Sequence, residues 1–454
     1  MSASSAPSAS PRASLFSLSW PLFIELLLGI AVGLVGTLLA ARVSDNAGGA
    51  FALANHVSAT LFILFRIIGA GVSVVLTQSL GAGRRDRADA LARAALGASS
   101  WIGGITALAA LLLAEPLLRL MNAPAEVLPL AAPLLIALAP AMLLDAWNAS
   151  MASVMRAHLR TRDTLAVLIA MQVCLLGLAV PAMANLGLPG FALALAVSRA
   201  LGLVLHLWLW GARLNLRPQR SDWWRLPRAE LAAILHIGLP GAAENIAYRL
   251  AFMVSVAVVG TLGAQALATQ AYAQQLMHFV LLFGLATGFA AEILVGHLIG
   301  AGQLHEAHRL VRRALARGLI VSVVVATAAA LASPWLMQLF SRDPAVIAAG
   351  VTLMWLTVLL EPGRTFNLVV INALRATGDA RYPVMVGAVS MLLVLAGGSW
   401  LLGIKLGLGL PGVWIAYAAD EWIRGLLMWR RWARHDWVPQ ARATHRRLRA
   451  ARLG

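Results

Sequence analysis

Charged residues, cysteine and lysine are scarce in this sequence, and each scarcity excludes a class of protein. Only 12% of the 454 residues are charged, whereas 60% are hydrophobic, which is not the composition of a soluble domain. The single cysteine, Cys174, lies inside an apolar run, so an intrachain disulfide is excluded. Lys405 is the only lysine among the 36 basic residues, so the net charge of +17 comes almost entirely from arginine.

Recognisable catalytic motifs are also missing. The sequence has no His-Glu-x-x-His, no nucleophile elbow and no pair of cysteines, so an enzyme is not expected, no cofactor is expected, and no metal site can be assigned. Two Gly-Ala-Gly turns lack the Lys-Ser/Thr of a phosphate-binding loop. The basic tail 433–454 is expected to touch membrane lipids, because no nucleic-acid-binding fold accompanies it.

Long apolar runs dominate what remains, and they are continuous, as in helices that span a membrane. The first 14 residues are rich in serine and alanine and are predicted to be disordered. No cleavable signal peptide is expected, because the apolar run that follows is too long. The sequence predicts an all-α membrane protein of twelve transmembrane helices, at 15–40, 49–79, 95–114, 127–154, 164–184, 189–212, 233–260, 266–299, 314–339, 346–373, 383–403 and 411–432.

The second half of the chain repeats the first at a constant shift of 219 residues. Landmarks of several residue types share this register; the pairs are Pro21 and Pro240, Glu25 and Glu244, Gly81 and Gly300, Gly83 and Gly302, Arg93 and Arg312, Asn148 and Asn367, and Arg156 and Arg375. Six spans per copy is an even number, so both copies enter the membrane in the same direction. The prediction is therefore a parallel repeat of two six-helix bundles, 15–212 and 233–432, joined by a cytoplasmic linker at 213–232.

Arginine is unevenly distributed among the predicted loops. Alternate loops are rich in arginine, including Arg84 and Arg85, Arg309 and Arg312, and the linker. The positive-inside rule then predicts a bacterial-type inner-membrane protein with both termini in the cytoplasm.

Glu25 and Glu244 are the first candidates for an ion-coupling site, because ionisable residues inside membrane helices are costly. Each lies about ten residues into its predicted span, which suggests a position near the middle of the membrane. Arg66 could pair with Glu25, whereas its counterpart in the second copy is Leu285, and Arg249 lies five residues after Glu244. We therefore expect Glu244 to be unpaired and to be the main proton-exchanging carboxyl.

Other ionisable residues could line a substrate cavity or be paired with each other. Glu361 and Arg364 are three residues apart on one predicted helix and are expected to neutralise each other. Asp145 occupies the position of Arg364 in the first copy. A further cluster, expected to be structural, comprises Asp420, Glu421 and Arg424, and Arg199 aligns with its central residue.

Several motifs together resemble those of the multidrug and toxic compound extrusion (MATE) transporters. They are Leu80-Gly-Ala-Gly83, Ile299-Gly-Ala-Gly302, Ala373-Leu-Arg-Ala-Thr-Gly-Asp379 and Gly409-Leu-Pro-Gly-Val-Trp414. The resemblance covers roughly residues 15–432. It implies two six-helix bundles that export small organic compounds, in some cases cations, in exchange for protons or sodium ions.

Two positions depart from the family pattern. Gly36 stands where many members carry an aspartate on the first helix, and Arg364 stands where some carry an acidic residue. Coupling through a carboxylate at position 36 therefore does not carry over. Two alternatives to a secondary transporter remain, a flippase for a lipid-linked or polar precursor and a membrane scaffold or sensor without transport. The protein is expected to be a monomer.

Overall fold

The computed structural model describes residues 13–61, 63–121 and 123–450, without the side chains of Asp45, Ile63, Leu64 and Arg66. The predicted disorder of residues 1–14 falls almost wholly outside this part. The described chain is built from helices. Those of the first half are α1 (Leu15–Ala41), α2 (Asp45–Leu61), α3 (Ile63–Gly81), α4 (Arg85–Leu112), α5 (Ala114–Leu120), α6 (Leu128–Ala157), α7 (Thr161–Leu186) and α8 (Leu188–Leu209).

The second half contains α9 (Arg228–Gly260), α10 (Ala264–Gly300), α11 (Leu304–Gln338), α12 (Pro344–Ala376), α13 (Arg381–Ser390), α14 (Gly397–Trp400), α15 (Gly409–Ala433) and α16 (Val438–Ala450). Two π-helical segments, Met391–Ala396 and Leu401–Lys405, flank α14. Segments of this kind often occur at functional sites.

Ten of the described helical segments are long and apolar enough to cross a membrane. The two other predicted spans correspond to α2 with α3, which adjoin at position 62, and to α15, which carries three charged residues in its middle. Large apolar side chains such as Leu38, Val173 and Trp335 are exposed along these helices, as expected for surfaces that face lipid. The all-helical membrane architecture predicted from the sequence is therefore confirmed.

The chain divides into two compact units whose boundaries differ from those of the sequence repeat. The first unit comprises Ile24–Leu76 and Arg85–Ala242, and the second comprises Met1–Phe23, Thr77–Arg84 and Ala243–Gly454. In the first unit, Phe51 and Phe191 meet edge to face at 4.8 Å within a core contributed mainly by α2, α6 and α8. The second unit has one core around Trp432 and Trp437 and another around Trp414 and Tyr417.

Both Gly-Ala-Gly turns belong to the second unit, and their glycines have a steric reason. Gly83 and Gly302 have φ values of +72° and +75°, a conformation that favours glycine. A Cβ on Gly81 would lie 2.0 Å from the His297 carbonyl oxygen, and a Cβ on Gly300 would lie 2.0 Å from that of Gln78. The turns are therefore close-packing points, as expected once a phosphate loop had been excluded.

A buried ionic network and its family

Five charged side chains are buried together in the second unit, between α12 and α15. Glu361 and Arg364 come from α12, and Asp420, Glu421 and Arg424 come from α15; each is at most 6% exposed. On α12 the i, i+3 spacing places both side chains on the face that packs against α15, and on α15 the i, i+3 and i, i+4 spacings do the same. We call these residues the five-residue network.

Glu421 is the centre of this network because it binds both arginines. Arg364 Nε lies 3.2 Å from Glu421 Oε1, and Arg424 Nη2 lies 3.1 Å from Glu421 Oε2. Arg364 Nη1 also donates to Glu361 Oε1 at 2.6 Å, and Arg424 Nη2 donates to Asp420 Oδ2 at 2.6 Å. The expected pairing of Glu361 with Arg364 is therefore present, but within a larger array.

Neutral side chains complete the coordination of two of the three carboxylates. Asn367 Nδ2 donates to Glu421 Oε2 at 2.9 Å, and the Ser390 hydroxyl donates to Asp420 Oδ1 at 2.6 Å. Ser390 is the last residue of α13, directly before a π-helical segment. Within the described residues, Glu361 accepts hydrogen bonds from Arg364 alone, so it is the least stabilised of the three carboxylates.

The network has one carboxylate more than it has guanidinium groups. If every group is ionised, its formal charge is −1, and all five side chains are withdrawn from water. An uncompensated charge in such surroundings is unfavourable, whereas one additional positive charge neutralises the array. The arrangement can therefore take up one proton or one monovalent cation.

The corresponding region of the first unit is balanced. Asp145 and Arg199, which align with Arg364 and Glu421, form an ion pair with 2.6 Å between Oδ1 and Nε. The charges are thus exchanged between the two copies, but the pairing is kept. Asn148 Nδ2 donates to the Arg199 carbonyl oxygen at 2.8 Å, and Asn148 Oδ1 lies 2.9 Å from His206 Nδ1. No additional carboxylate joins this pair among the described ion pairs.

Glu244 is not unpaired, and that expectation was wrong. Its carboxylate is bound by Arg375, just as Glu25 Oε2 pairs with Arg156 Nη1 at 3.1 Å and accepts from the Thr164 hydroxyl. The two ion pairs join residues that are each 131 positions apart. The sequence contained the signal, because all four residues are landmarks of the 219-residue register.

The depth assigned to these carboxylates was also wrong. Arg156 and Arg375 are each the penultimate residue of their helices, α6 and α12. Glu25 and Glu244 therefore lie level with helix ends rather than at mid-helix depth. Arg249 is exposed on α9, and the side chain of Arg66 lies outside the described residues, so its proposed pairing with Glu25 stays a prediction.

Sequence reasoning also missed a buried hydroxyl cluster centred on Tyr417. Its hydroxyl lies 2.8 Å from Ser255 Oγ and accepts from Gln270 Nε2 at 3.0 Å, and Ser255 Oγ lies 2.9 Å from Ser399 Oγ. Tyr417 precedes Asp420 by three residues on α15, so this cluster is one turn from the five-residue network. None of its members is charged, and serine and tyrosine in apolar runs carry no periodic signal.

Comparison with known proteins identifies the family. A sequence model described as MatE matches residues 21–181 and again residues 240–400, so both ends of the match recur after 219 residues. The chain belongs to the MATE family. This confirms the resemblance stated from the motifs, and it makes the protein a transporter rather than an enzyme.

Relatives and structural neighbours of this MATE protein cover nearly all of it. It is 32% identical over 441 residues to an uncharacterized transporter, YisQ, of Bacillus subtilis, covering 95% of this chain and 96% of YisQ. It is 26% identical to the multidrug resistance protein PmpM of Pseudomonas aeruginosa, over 87% of this chain and 83% of PmpM. The crystal structure of the Vibrio cholerae MATE transporter VcmN in its bent form superposes with a TM-score of 0.86 at 20% identity, covering 95% and 97% of the two chains.

Proposed function

We propose that this MATE transporter exports small organic compounds in exchange for protons, and that the five-residue network is the coupling site. The observation that carries the proposal is the excess carboxylate in a buried array on two membrane-spanning helices. An organic cation as substrate is favoured by the names of relatives such as the multidrug resistance protein PmpM and by the negative charge that deprotonation creates.

Protons are favoured over sodium ions by the positions of the arginines. Each of the three carboxylates has a guanidinium nitrogen within 3.2 Å. A sodium ion would need several oxygen ligands and would be repelled by these guanidinium groups, whereas a proton binds to one oxygen without displacing them.

Glu361 is the proposed proton acceptor. It has a single hydrogen-bond donor in the described part of the chain, so protonation disrupts less there than at Asp420 or Glu421. In alternating access, the protonated, neutral network would favour one conformation, and release of the proton to water would favour the other. Coupling requires only that the two conformations bind the proton with different affinity.

The role originally expected for Glu244 remains a proposal of a different kind. Because Glu25 and Glu244 form equivalent ion pairs at helix ends, we propose that they hold their helices together and do not exchange protons. Arg199 and Arg364, two arginines on which the flippase alternative depends, are held in ion pairs, so we do not adopt that alternative.

The test is transport in proteoliposomes with an imposed pH or sodium gradient and a fluorescent organic cation. Glu361→Gln should abolish efflux driven by the pH gradient while dye binding persists, because glutamine resembles the protonated acid. Glu115→Gln is the matched control, since Glu115 is in an exposed i, i+4 pair with Arg119. Wild-type efflux driven by sodium alone, or unchanged proton-driven efflux by Glu361→Gln, would refute the assignment.

We also propose that both termini face the cytoplasm, on the basis of the arginine-rich loops. Accordingly, a reporter that is active only outside the cytoplasm should stay inactive when fused after Arg442. Its activity there would reverse the proposed orientation.

A further inference from the structure

The C-terminal helix α16 is docked onto helix ends of the second unit and does not extend into solvent as a free tail. Ala441 and Leu448, two turns apart, are buried. The His445 Nδ1 atom lies 2.9 Å from the Gly300 carbonyl oxygen, and Arg84 Nη1 donates to the Leu448 carbonyl oxygen at 3.2 Å. These contacts fix α16 against both Gly-Ala-Gly turns.

A cavity of about 780 Å³ lies beside this docked helix. One wall is the turn that follows α10 together with the first turn of α11, and the other wall is one face of α16. The lining residues are Gly302, Gln303, Leu304, His305, Glu306, Arg442, His445 and Arg446. The cavity is larger than a phosphate ion requires and can hold a phosphate attached to a larger group.

The cavity carries an excess of positive charge. Arg442 and Arg446 are exposed, four residues apart on one face of α16, and have no carboxylate partner among the described ion pairs. The one lining acid, Glu306, is paired with Arg309 at 3.3 Å. The charge of the lining acid is therefore balanced from outside the cavity, and the two arginines remain available.

Backbone geometry adds donors on the opposite wall. The 35-residue helix α11 begins at Leu304, and the side chain of the preceding Gln303 does not cap it. The first N–H groups of an uncapped helix, together with its dipole, favour an anion. Gln303 Oε1 is buried and has no hydrogen-bond donor in the described part of the chain, so the ligand should also carry a hydroxyl or ammonium group.

We propose that this cavity binds a phosphate-bearing anion, held between Arg442 and Arg446 of α16 and the beginning of α11. The group can come from the headgroup of an anionic phospholipid or from a soluble phosphate compound. Such a ligand would bridge the C-terminal helix to α11 and thereby fix the position of α16. This inference concerns a site separate from the five-residue network and does not depend on the coupling ion.

The experiment measures ligand-dependent thermal stability and native mass spectra of the full-length protein in detergent. Phosphatidylglycerol, which carries both phosphate and hydroxyl groups, is compared with phosphatidylcholine and with inorganic pyrophosphate. The double variant Arg442→Gln/Arg446→Gln should bind phosphatidylglycerol or pyrophosphate at least about tenfold more weakly, since two charge-assisted contacts are lost. The control Arg447→Gln/Arg449→Gln removes the same charge from exposed positions of α16 that do not line the cavity.

Each outcome decides the proposal. Stabilisation by phosphatidylglycerol alone identifies a lipid headgroup, and stabilisation by pyrophosphate identifies a soluble phosphate compound. Equal weakening by the two double variants would show a diffuse charge effect and overturn the site, as would the absence of any binding to the wild-type protein. Melting of the variants without ligand reports separately on whether α16 remains docked.

Discussion

Removal of Glu361 and removal of Glu421 should have very different effects on stability, although each changes the formal charge of the network from −1 to 0. Glu421 accepts from Arg364, Arg424 and Asn367, whereas Glu361 accepts from Arg364 alone in the described structure. A glutamine can still accept one hydrogen bond at either position. At position 421, however, its neutral amide cannot replace the carboxylate between two guanidinium groups.

The magnitude follows from what each variant leaves unpaired. Loss of one partner from a buried ionic array costs about 3–5 kcal/mol, which we expect for Glu421→Gln because both arginines lose a shared anion. Glu361→Gln loses only the charged part of one hydrogen bond, about 1 kcal/mol, and this loss is offset because the excess charge disappears. We therefore expect a difference of at least about 2 kcal/mol between the variants.

Reversible unfolding of the detergent-solubilised protein by a denaturing detergent provides the assay, with the free energy of unfolding compared at one pH. Glu115→Gln, in an exposed ion pair, should change this free energy by less than about 1 kcal/mol. Equal losses for the variants at 361 and 421 would refute the view that Glu421 organises the network. Greater damage from Glu361→Gln would refute its assignment as the removable charge.

Three further predictions concern other parts of the chain. The single variants Glu244→Gln and Arg375→Gln and their double variant should show a coupling energy of about 0.5–3 kcal/mol in a double-mutant cycle; additive losses would contradict their ion pair. Gly300→Ala should destabilise the fold by about 1–3 kcal/mol or more, because its Cβ would meet a backbone carbonyl oxygen of α3 at 2.0 Å, whereas Gly104→Ala, with no atom within 4 Å, should not be destabilising; equal melting temperatures would disprove this. Burial lowers the pKa of His158 below its ordinary 6.5, so the unfolded chain binds more protons as the pH falls through 6.5, and the folded state loses stability there; His158→Gln should reduce this pH dependence, and an unchanged profile would count against it.

Helix number and the duplication could be predicted because both depend on features that are local along the chain. A long apolar run predicts a membrane helix by itself, and Pro, Gly and Arg landmarks recur at 219 residues whether or not their side chains touch. The turns at Gly83 and Gly302 were predictable for the same reason, since only local backbone geometry demands glycine there.

The partners of Glu244 and Glu421 could not be predicted in the same way. Those contacts depend on which helix faces which and on the vertical offset between helices, and neither quantity is written in the period of one helix. Counting residues from the start of an apolar run placed Glu244 at the wrong depth, because α9 begins at Arg228, several residues before the predicted span. The ion pair itself was recoverable, since a glutamate and an arginine that both recur with the same shift are candidates for pairing within each copy.

The reciprocal approach of Gly81 and Gly300 has a consequence for how this duplicated protein can be divided. Residues 77–84 are encoded in the first copy, yet they pack as part of the second compact unit. A gene cut between the two copies would therefore produce a C-terminal chain that lacks a piece of its own interior. Such a half should assemble only when the other half is supplied, and a self-sufficient C-terminal fragment would need the segment around Gly81 transplanted into it.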